Sequence, residues 1–258
     1  MNIPNPPAEL FYKFNDIEYH DKPHKYYLYN KPLTSVTTLI HKYEEEFDDK
    51  WYSIKADEYG VSEEDIRYAW KFINERGTTK GSIIHDYTEN LFLNKVFPYP
   101  KDEIIKKFGY DAIWDEFVIT KKHVDKFYND SKNKLIPIKT ELVCYDIEHM
   151  ISGMVDMLFY NVKAKEFQIW DWKTNNKFTT SSDYYLKYPL NNIMASNLDI
   201  YSLQLSTYKY IINKHININL GNSYIVRFSA KDKNYEVLKT HDYTKEVERM
   251  LNDFSIKK

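Results

Sequence analysis

The pattern of apolar and polar positions over residues 153–174 predicts two strands joined by a short turn. The runs 153–160 and 167–174 are rich in β-forming residues, and the polar segment 161–166 has the length of a hairpin connection. Each run carries one acid among apolar neighbours, Asp156 in the first and Asp171 in the second. This stretch therefore predicts a buried hairpin with two carboxylates.

The two-residue period of a strand places Asp171 and Lys173 on one face and Trp170 and Trp172 on the other. Charges in core strands are costly unless they are paired or bind a metal. Two carboxylates that converge across a hairpin form a hard oxygen site suited to Mg²⁺ or Mn²⁺, and a neighbouring lysine can act on a water or on a phosphate. The alternative is a salt-bridged hairpin in which Asp171 simply pairs with Lys173.

Helical and strand patterns occupy most of the remaining chain. We expect short strands at 17–20 and 25–29 around a turn at 21–23, a helix from Val36 capped by Ser35, and helices over 50–76 and 77–93. Further expected elements are two helices within 101–134, a strand at 136–146, a loop at 175–197, a helix at 198–215, a hairpin of 222–229 and 235–241, and a helix at 243–254.

Three residues in the helix at 77–93 share one face because they recur every four positions: Gly81, His85 and Glu89. A lone helical histidine is more often structural than a ligand. Gly81, one turn before His85, would allow another backbone or a ligand to approach the imidazole closely. In the strand at 136–146, Glu141 is expected at the same end of the sheet as Asp156.

Two further features have both a functional and a structural interpretation. Gln204 lies within the apolar stripe of the helix at 198–215, one turn before Tyr208, so its amide needs partners. Residues 121–134 carry a basic face, which is either a solvated surface or a contact for a DNA backbone; it consists of Lys121, Lys122, His123, Lys126, Lys132 and Lys134.

The 258 residues are near the upper size limit for one hydrophobic core, so we expect a single domain over 1–258. The net charge of −2 means that any nucleic-acid surface is a local patch. Cys144 is the sole cysteine, which excludes an intramolecular disulfide and a thiolate metal cluster. The N-terminus lacks signal-peptide order and no run is long enough for a membrane helix, which fits a cytoplasmic protein of a bacterium or of a phage-infected host.

Taken in order, several short motifs resemble the PD-(D/E)XK nuclease superfamily, most closely its RecB-type and phage lambda exonuclease-like branch. They are Gly81 with His85, then Glu141, then the run from Gly153 to Asp156, then Asp171-Trp172-Lys173, and finally Gln204 with Tyr208. The block from His24 to residue 37 also resembles the N-terminal part of many phage members. Val155 stands where the proline that names the family would be, and Asp171 replaces the more frequent glutamate.

The resemblance implies an α/β fold with a central mixed β-sheet flanked by helices, a restriction-endonuclease-like core at 77–258 and an N-terminal hairpin and helical elaboration at 1–76. It implies one or two Mg²⁺ or Mn²⁺ ions held by His85, Asp156, Asp171 and the main-chain carbonyl of Trp172. Lys173 would act on the attacking water, Glu141 would join the catalytic acids, and Gly81, Gln204 and Tyr208 would support the site and the DNA. The four-cysteine iron–sulfur cluster of some relatives is excluded by the single cysteine.

The expected function is a metal-dependent DNA exonuclease in phage-type recombination, replication or repair. The expected partners are DNA ends or single strands, a single-strand annealing or recombination protein, and further copies of the chain. Two alternatives stay open: a structure-specific endonuclease or resolvase on the same fold, and a catalytically inert DNA-binding protein.

Overall fold

A mixed β-sheet forms the centre of the structure, a computed structural model that describes residues 5–20 and 25–256. Within these residues the sheet has eight strands. They are β1 (Ile17–His20), β2 (Lys25–Leu28), β3 (Lys31–Ser35), β4 (Leu135–Asp146), β5 (Ile151–Asn161), β6 (Glu166–Lys173), β7 (Tyr224–Arg227) and β8 (Glu236–Lys239).

Helices cover both faces of this sheet, which confirms the predicted α/β class. A short 3₁₀ turn, Ala8–Phe11, precedes β1. The α-helices of the described residues are α1 (Val36–His41), α2 (Lys50–Tyr59), α3 (Glu63–Phe92), α4 (Lys101–Phe108), α5 (Trp114–Ser131), α6 (Asn197–His215) and α7 (Thr244–Ile256). One hydrophobic core joins α1, α6 and α7 to the sheet, and another joins α3, α4 and α5 to it.

The strand β5 organises the sheet because three strands pair with it. β4 runs antiparallel along the whole of β5, from Ile151 to Asn161. A strand has two edges, so β3 and β6 must share the other one. β3 pairs in parallel with residues 151–152, and the β6 ladder begins only at Met157. The edge of β5 between these pairings, residues 153–156, is therefore left open as a notch.

Several sequence predictions are confirmed at the level of elements. The hairpin of β5 and β6 is antiparallel, and β7 and β8 form the second hairpin. Ser35 caps α1, since the backbone N–H of Thr38 donates to its Oγ at 3.1 Å. The turn predicted at 21–23, and His24, lie outside the described residues.

The N-terminal part contains one strand that was not predicted, and one prediction about it is wrong. Residues 31–35 form strand β3, which was not predicted; it links the N-terminal hairpin to the main sheet. The helices expected on either side of residue 77 are one continuous helix, α3, which begins with a capping box between Ser62 and Asp65. A glycine inside a helix costs only about 1 kcal/mol, so Gly77 does not break it. The helix thus crosses the boundary expected at 76–77.

In the part of the chain that the structure describes, no helix combines the length and the apolar character that crossing a bilayer requires.

Candidate active site

The notch on β5 opens into a cleft of about 1380 Å³, lined by residues from β1, β2, β3, α1, α3, α5, β4, β5, β6 and α6. All of the predicted site side chains except that of Trp172 line this cleft. Five distant segments of sequence are therefore brought together here, as predicted. Their chemical roles stay predictions.

Asp156 connects the notch to β6. The last ladder pair of β5 and β6 is Met157 with Trp170, and beyond it the backbone N–H of Trp172 donates to the Oδ2 atom of Asp156 at 2.8 Å. The carboxylate thus takes the place of a main-chain acceptor as the two strands diverge. Trp172 itself is buried in the core on the opposite face, packed against the rings of Phe92 and Phe127.

His85 reaches this pair from α3. Its Nε2 lies 2.9 Å from the carbonyl oxygen of Trp172, and its Nδ1 lies 3.5 Å from Oδ2 of Asp156. A carbonyl only accepts, so Nε2 carries the proton in this arrangement. Burial lowers the pKa of His85, but attraction to Asp156 outweighs it and raises the pKa overall. Burial by itself would raise the pKa of Asp156. The attraction of His85 and Lys173 outweighs burial, so the pKa of Asp156 is lowered.

Asp171 is turned toward Lys173 on the same face of β6, as predicted from the strand period. The Lys173 ammonium lies 2.6 Å from Oδ2 of Asp171. Burial raises the pKa of Asp171, the Lys173 charge lowers it, and the Asp156 charge raises it again. The net effect is a pKa of about 6. Burial lowers the pKa of Lys173, and the attraction of Asp171 and Asp156 raises it above its usual value. Lys173 also lies 4.3 Å from the centre of the Tyr201 ring on α6.

Glu141 lies on β4, opposite Asp156 on β5, and its backbone is strained. Its φ of 45° is in the left-handed region, which non-glycine residues seldom adopt within a strand. The side chain faces the cleft near three other acids. Partial burial, together with repulsion from Glu89, Asp86 and Asp156, raises the pKa of Glu141 to about 7. Such strain and crowding are typical of functional sites.

Gln204 and Tyr208 form the wall of the cleft on α6. The Gln204 Nε2 donates to the Tyr208 hydroxyl at 2.8 Å, which provides the partner that this half-buried amide was predicted to need. The ring of Tyr208 packs on Gly153, where a β-carbon would lie 2.2 Å from Cε1 of that ring. Gly153 is therefore the glycine that permits a close approach.

Gly81 lines the cleft beside His85, but among the described residues no backbone packs closely against it; the close approach of a ligand there stays a prediction. A β-carbon at residue 81 would lie 3.5 Å from the Thr174 Oγ1 atom, an ordinary contact.

The prediction of a basic face on α5 needs a correction. His123 is buried rather than part of the surface, and burial lowers its pKa. Lys121 and Lys126 pair with Asp125 and Asp130 of the same helix, which favours the solvated-surface interpretation.

A second cluster of potential metal ligands lies outside the cleft, in and after β4. Ligand atoms of Asp146, Glu148 and His149 lie within 4.8 Å of one another, so the group could hold a metal ion. The Lys214 ammonium already lies 2.9 and 3.0 Å from the two Asp146 oxygens and 2.6 Å from Glu148. This lysine neutralises the acids, and the cluster is best explained as an ion-pair network between β4 and α6, in which Asp146 and His149 are buried and Glu148 is exposed.

The cleft residues fit Mg²⁺ or Mn²⁺ by their donor set: an imidazole, two carboxylates and a main-chain carbonyl. In the structure Asp171 faces a cation already, the Lys173 ammonium at 2.6 Å. The His85 Nε2 donates a hydrogen bond to the Trp172 carbonyl oxygen at 2.9 Å. Ligation through this nitrogen requires the other tautomer, because its proton is now donated to the carbonyl.

Sequence reasoning missed two features of the cleft. Tyr201, on α6, contacts Lys173 and hydrogen-bonds to Asn175. Lys80, on α3, is buried and pairs with Glu116 of α5 at 2.8 Å. A tyrosine one turn before Gln204 was the available signal for the first feature. The second depends on the packing of α3 against α5, which no local pattern reveals.

Comparisons with known proteins give little beyond this. No protein-family model matches the chain, and no curated protein matches it. Among solved structures, the chain is similar to a protein from Eubacterium rectale named "Putative exonuclease", with a TM-score of 0.43, 9% identity and coverage of 69% of this chain and 65% of that one. The chain thus spans less than two thirds of that protein's length. It is also similar to the protein SSO0001, with a TM-score of 0.28, 12% identity and coverage of 70% of this chain and 87% of that one. Because both TM-scores are low, neither likeness supports an inference about activity.

Proposed function

We propose that this protein is a metal-dependent deoxyribonuclease that hydrolyses phosphodiester bonds, acting as an exonuclease on DNA ends or single strands. The observation that carries the proposal is the convergence of His85, Asp156, Asp171 and Lys173 in one open cleft. Buried carboxylates beside a lysine are expensive to maintain unless they serve a ligand or a reaction. The motif resemblance to PD-(D/E)XK nucleases agrees with this assignment.

Each residue of the cleft has its own role in this proposal. His85, Asp156, Asp171 and the Trp172 carbonyl would hold one or two Mg²⁺ or Mn²⁺ ions, which when bound offset phosphoryl charge and acidify a water. Lys173 is placed to position the attacking water or to offset charge on the phosphoryl oxygens. Glu141 adds a carboxylate opposite Asp156, and the Gln204–Tyr208 pair supports that wall of the cleft.

The shape of the cleft also bears on its substrate. Hydroxyl and amide side chains from Ser35, Thr38, Asn74, Asn175 and Asn176 line it, and these groups can donate hydrogen bonds to phosphate oxygens. The chain as a whole is weakly acidic, so the cations that would attract the backbone must act locally. Bound divalent ions and Lys173 would provide this positive charge within the cleft.

Digestion of linear duplex, linear single-stranded, covalently closed circular and branched DNA with added Mg²⁺ or Mn²⁺ tests the proposal. Release of mononucleotides from linear DNA alone supports an exonuclease. Nicking of circles or selective cutting of branches would assign the endonuclease alternative. DNA binding without cleavage of any substrate in either metal would contradict a nuclease and leave an inert DNA-binding protein. Action in phage-type recombination with an annealing partner, and assembly of several copies, belong to the same proposal and follow only if linear ends are the substrate.

A further inference from the structure

Lys173 has two neighbours that stabilise its ammonium in different ways. One is the Asp171 carboxylate at 2.6 Å, and the other is the face of the Tyr201 ring at 4.3 Å from its centre. A cation over an aromatic face is attracted by the ring quadrupole. The side chain of Lys173 is only 15% exposed, so these neighbours replace most of its water.

Tyr201 is itself held in place by contacts that do not involve Lys173. The Asn175 Nδ2 donates to the Tyr201 hydroxyl at 3.2 Å, and the Phe178 ring lies 6.0 Å from the Tyr201 ring. The carbonyl of Asn175 accepts from the Arg227 guanidinium at 3.3 Å. The loop after β6, the strand β7 and the helix α6 thus fix this ring above the end of β6.

The resting ion pair conflicts with the role proposed for Asp171. A divalent ion bound to that carboxylate would repel an ammonium 2.6 Å away, so Lys173 must move when the ion arrives. A lysine side chain that rotated out into solvent could no longer position the attacking water or offset charge on the phosphate. The Tyr201 ring already touches the ammonium, so a short rotation keeps it inside the cleft.

We propose that Tyr201 is a positioning residue: its ring holds the Lys173 ammonium in the cleft once a divalent cation has taken Asp171. This inference rests on the proposed function, because it assumes that Asp171 binds the metal. Tyr201 does not touch the reacting atoms in this account. It acts through Lys173 by limiting where that ammonium can go.

Nuclear magnetic resonance of the lysine ε-methylene groups, without DNA, reports the position of Lys173 directly. A methylene above an aromatic ring is shifted upfield, and Lys173→Arg assigns the signal by removing it. Titration with Mg²⁺ is expected to keep or increase the upfield shift in the wild type and in Tyr201→Phe, which retains the ring. Tyr201→Leu is expected to move the signal to the position of an exposed lysine. Tyr210→Leu is the matched control, because Tyr210 lies on the same helix beside a different lysine, Lys214, at 5.9 Å.

The outcomes separate the inference from the function on which it rests. Suppose that Mg²⁺ perturbs signals of the cleft but the Lys173 signal of the wild type lies at the position of an exposed lysine. This result would overturn the role of Tyr201, whereas the metal site would still be supported. An upfield shift that survives in Tyr201→Leu would overturn it as well. If Mg²⁺ and Mn²⁺ perturb no signal of the cleft, the metal site and the inference both fail.

Kinetics give a second readout that a purely structural role would not produce. In single-turnover DNA cleavage, Tyr201→Leu is expected to slow the reaction on the order of tenfold, the range of one cation–π contact, without a change in DNA affinity. Tyr201→Phe should restore most of the rate. Equal rates for Tyr201→Leu and the wild type would contradict the proposal.

Discussion

The ring of Tyr208 lies so close to Gly153 that a β-carbon at residue 153 would be 2.2 Å from its Cε1 atom. Gly153 begins the open edge of β5, and Tyr208 is buried on α6. This contact sets how near α6 can come to the notch, and it also places Gln204, the donor to the Tyr208 hydroxyl. The position of one glycine therefore determines the shape of a whole wall of the cleft.

Gly153→Ala is expected to lower the free energy of unfolding by about 1–3 kcal/mol, because an extra methyl group must displace a buried ring. Gly81→Ala is the matched control. Its new methyl group would make only an ordinary contact, and alanine is favoured over glycine in a helix by up to about 1 kcal/mol. Urea denaturation measures both variants. A Gly153→Ala protein as stable as the wild type would contradict the close packing of Tyr208.

Asp156 has a structural role that can be separated from any catalytic one. Asp156→Ala leaves the Trp172 N–H without its acceptor, which is expected to cost about 1–3 kcal/mol. Asp156→Asn retains a carbonyl oxygen at the same place and should be the more stable of the two variants. Thermal unfolding in the presence of a chelator compares them. Equal stability would show that the bond from Trp172 does not support the strand junction.

Glu141 is expected to make stability depend on pH. Its pKa is raised from 4.5 to about 7 in the folded protein, so the folded state holds the proton more tightly than the unfolded chain does. Loss of the proton therefore destabilises the fold: the penalty is absent below pH 4.5, grows as pH rises, and is complete above pH 7. After allowance for solvent screening we expect about 1 kcal/mol.

Glu141→Gln removes this penalty. The variant should match the wild type in stability below pH 4.5 and exceed it above pH 7, when both are measured without divalent ions. Chemical denaturation across this range is the check. A constant difference at all pH values would show that the neighbouring acids do not crowd Glu141.

His85 should contribute to cation binding more than to folding. His85→Ala is expected to weaken Mn²⁺ affinity at least about tenfold, as loss of a ligand or its orienting partner does. His149→Ala is the control, because His149 belongs to the cluster that Lys214 neutralises. Calorimetric titration with Mn²⁺ distinguishes them. Loss of affinity in His149→Ala alone would place the metal site at the second cluster.

The local sequence pattern was sufficient to predict which side chains lie together where they belong to the same helix or strand. The two-residue period of β6 correctly put Asp171 and Lys173 together, and the helical period put Gly81, His85 and Glu89 on the face of α3 that lines the cleft. These predictions succeeded because strand and helix geometry alone determines which side chains share a face.

Relationships between distant elements could not be predicted in this way. The parallel pairing of β3 with β5 joins residues more than a hundred positions apart, and it creates the notch that holds Asp156. The contact of Tyr201 with Lys173 depends on how α6 packs against the sheet. The left-handed backbone of Glu141 has no sequence signal, because glutamate has no preference for that conformation.

Single-turnover DNA cleavage at saturating Mg²⁺ by the wild type, Asp171→Asn and Lys173→Ala tests whether these two residues carry out phosphodiester hydrolysis. We expect Asp171→Asn to abolish cleavage and Lys173→Ala to slow it at least about a hundredfold while DNA still binds, by analogy with removal of one preorganised donor. Lys55→Ala, which removes a surface lysine paired with Glu58 on α2, should cleave at the wild-type rate. Wild-type rates in Asp171→Asn and Lys173→Ala would contradict the account and reduce the two residues to a structural ion pair.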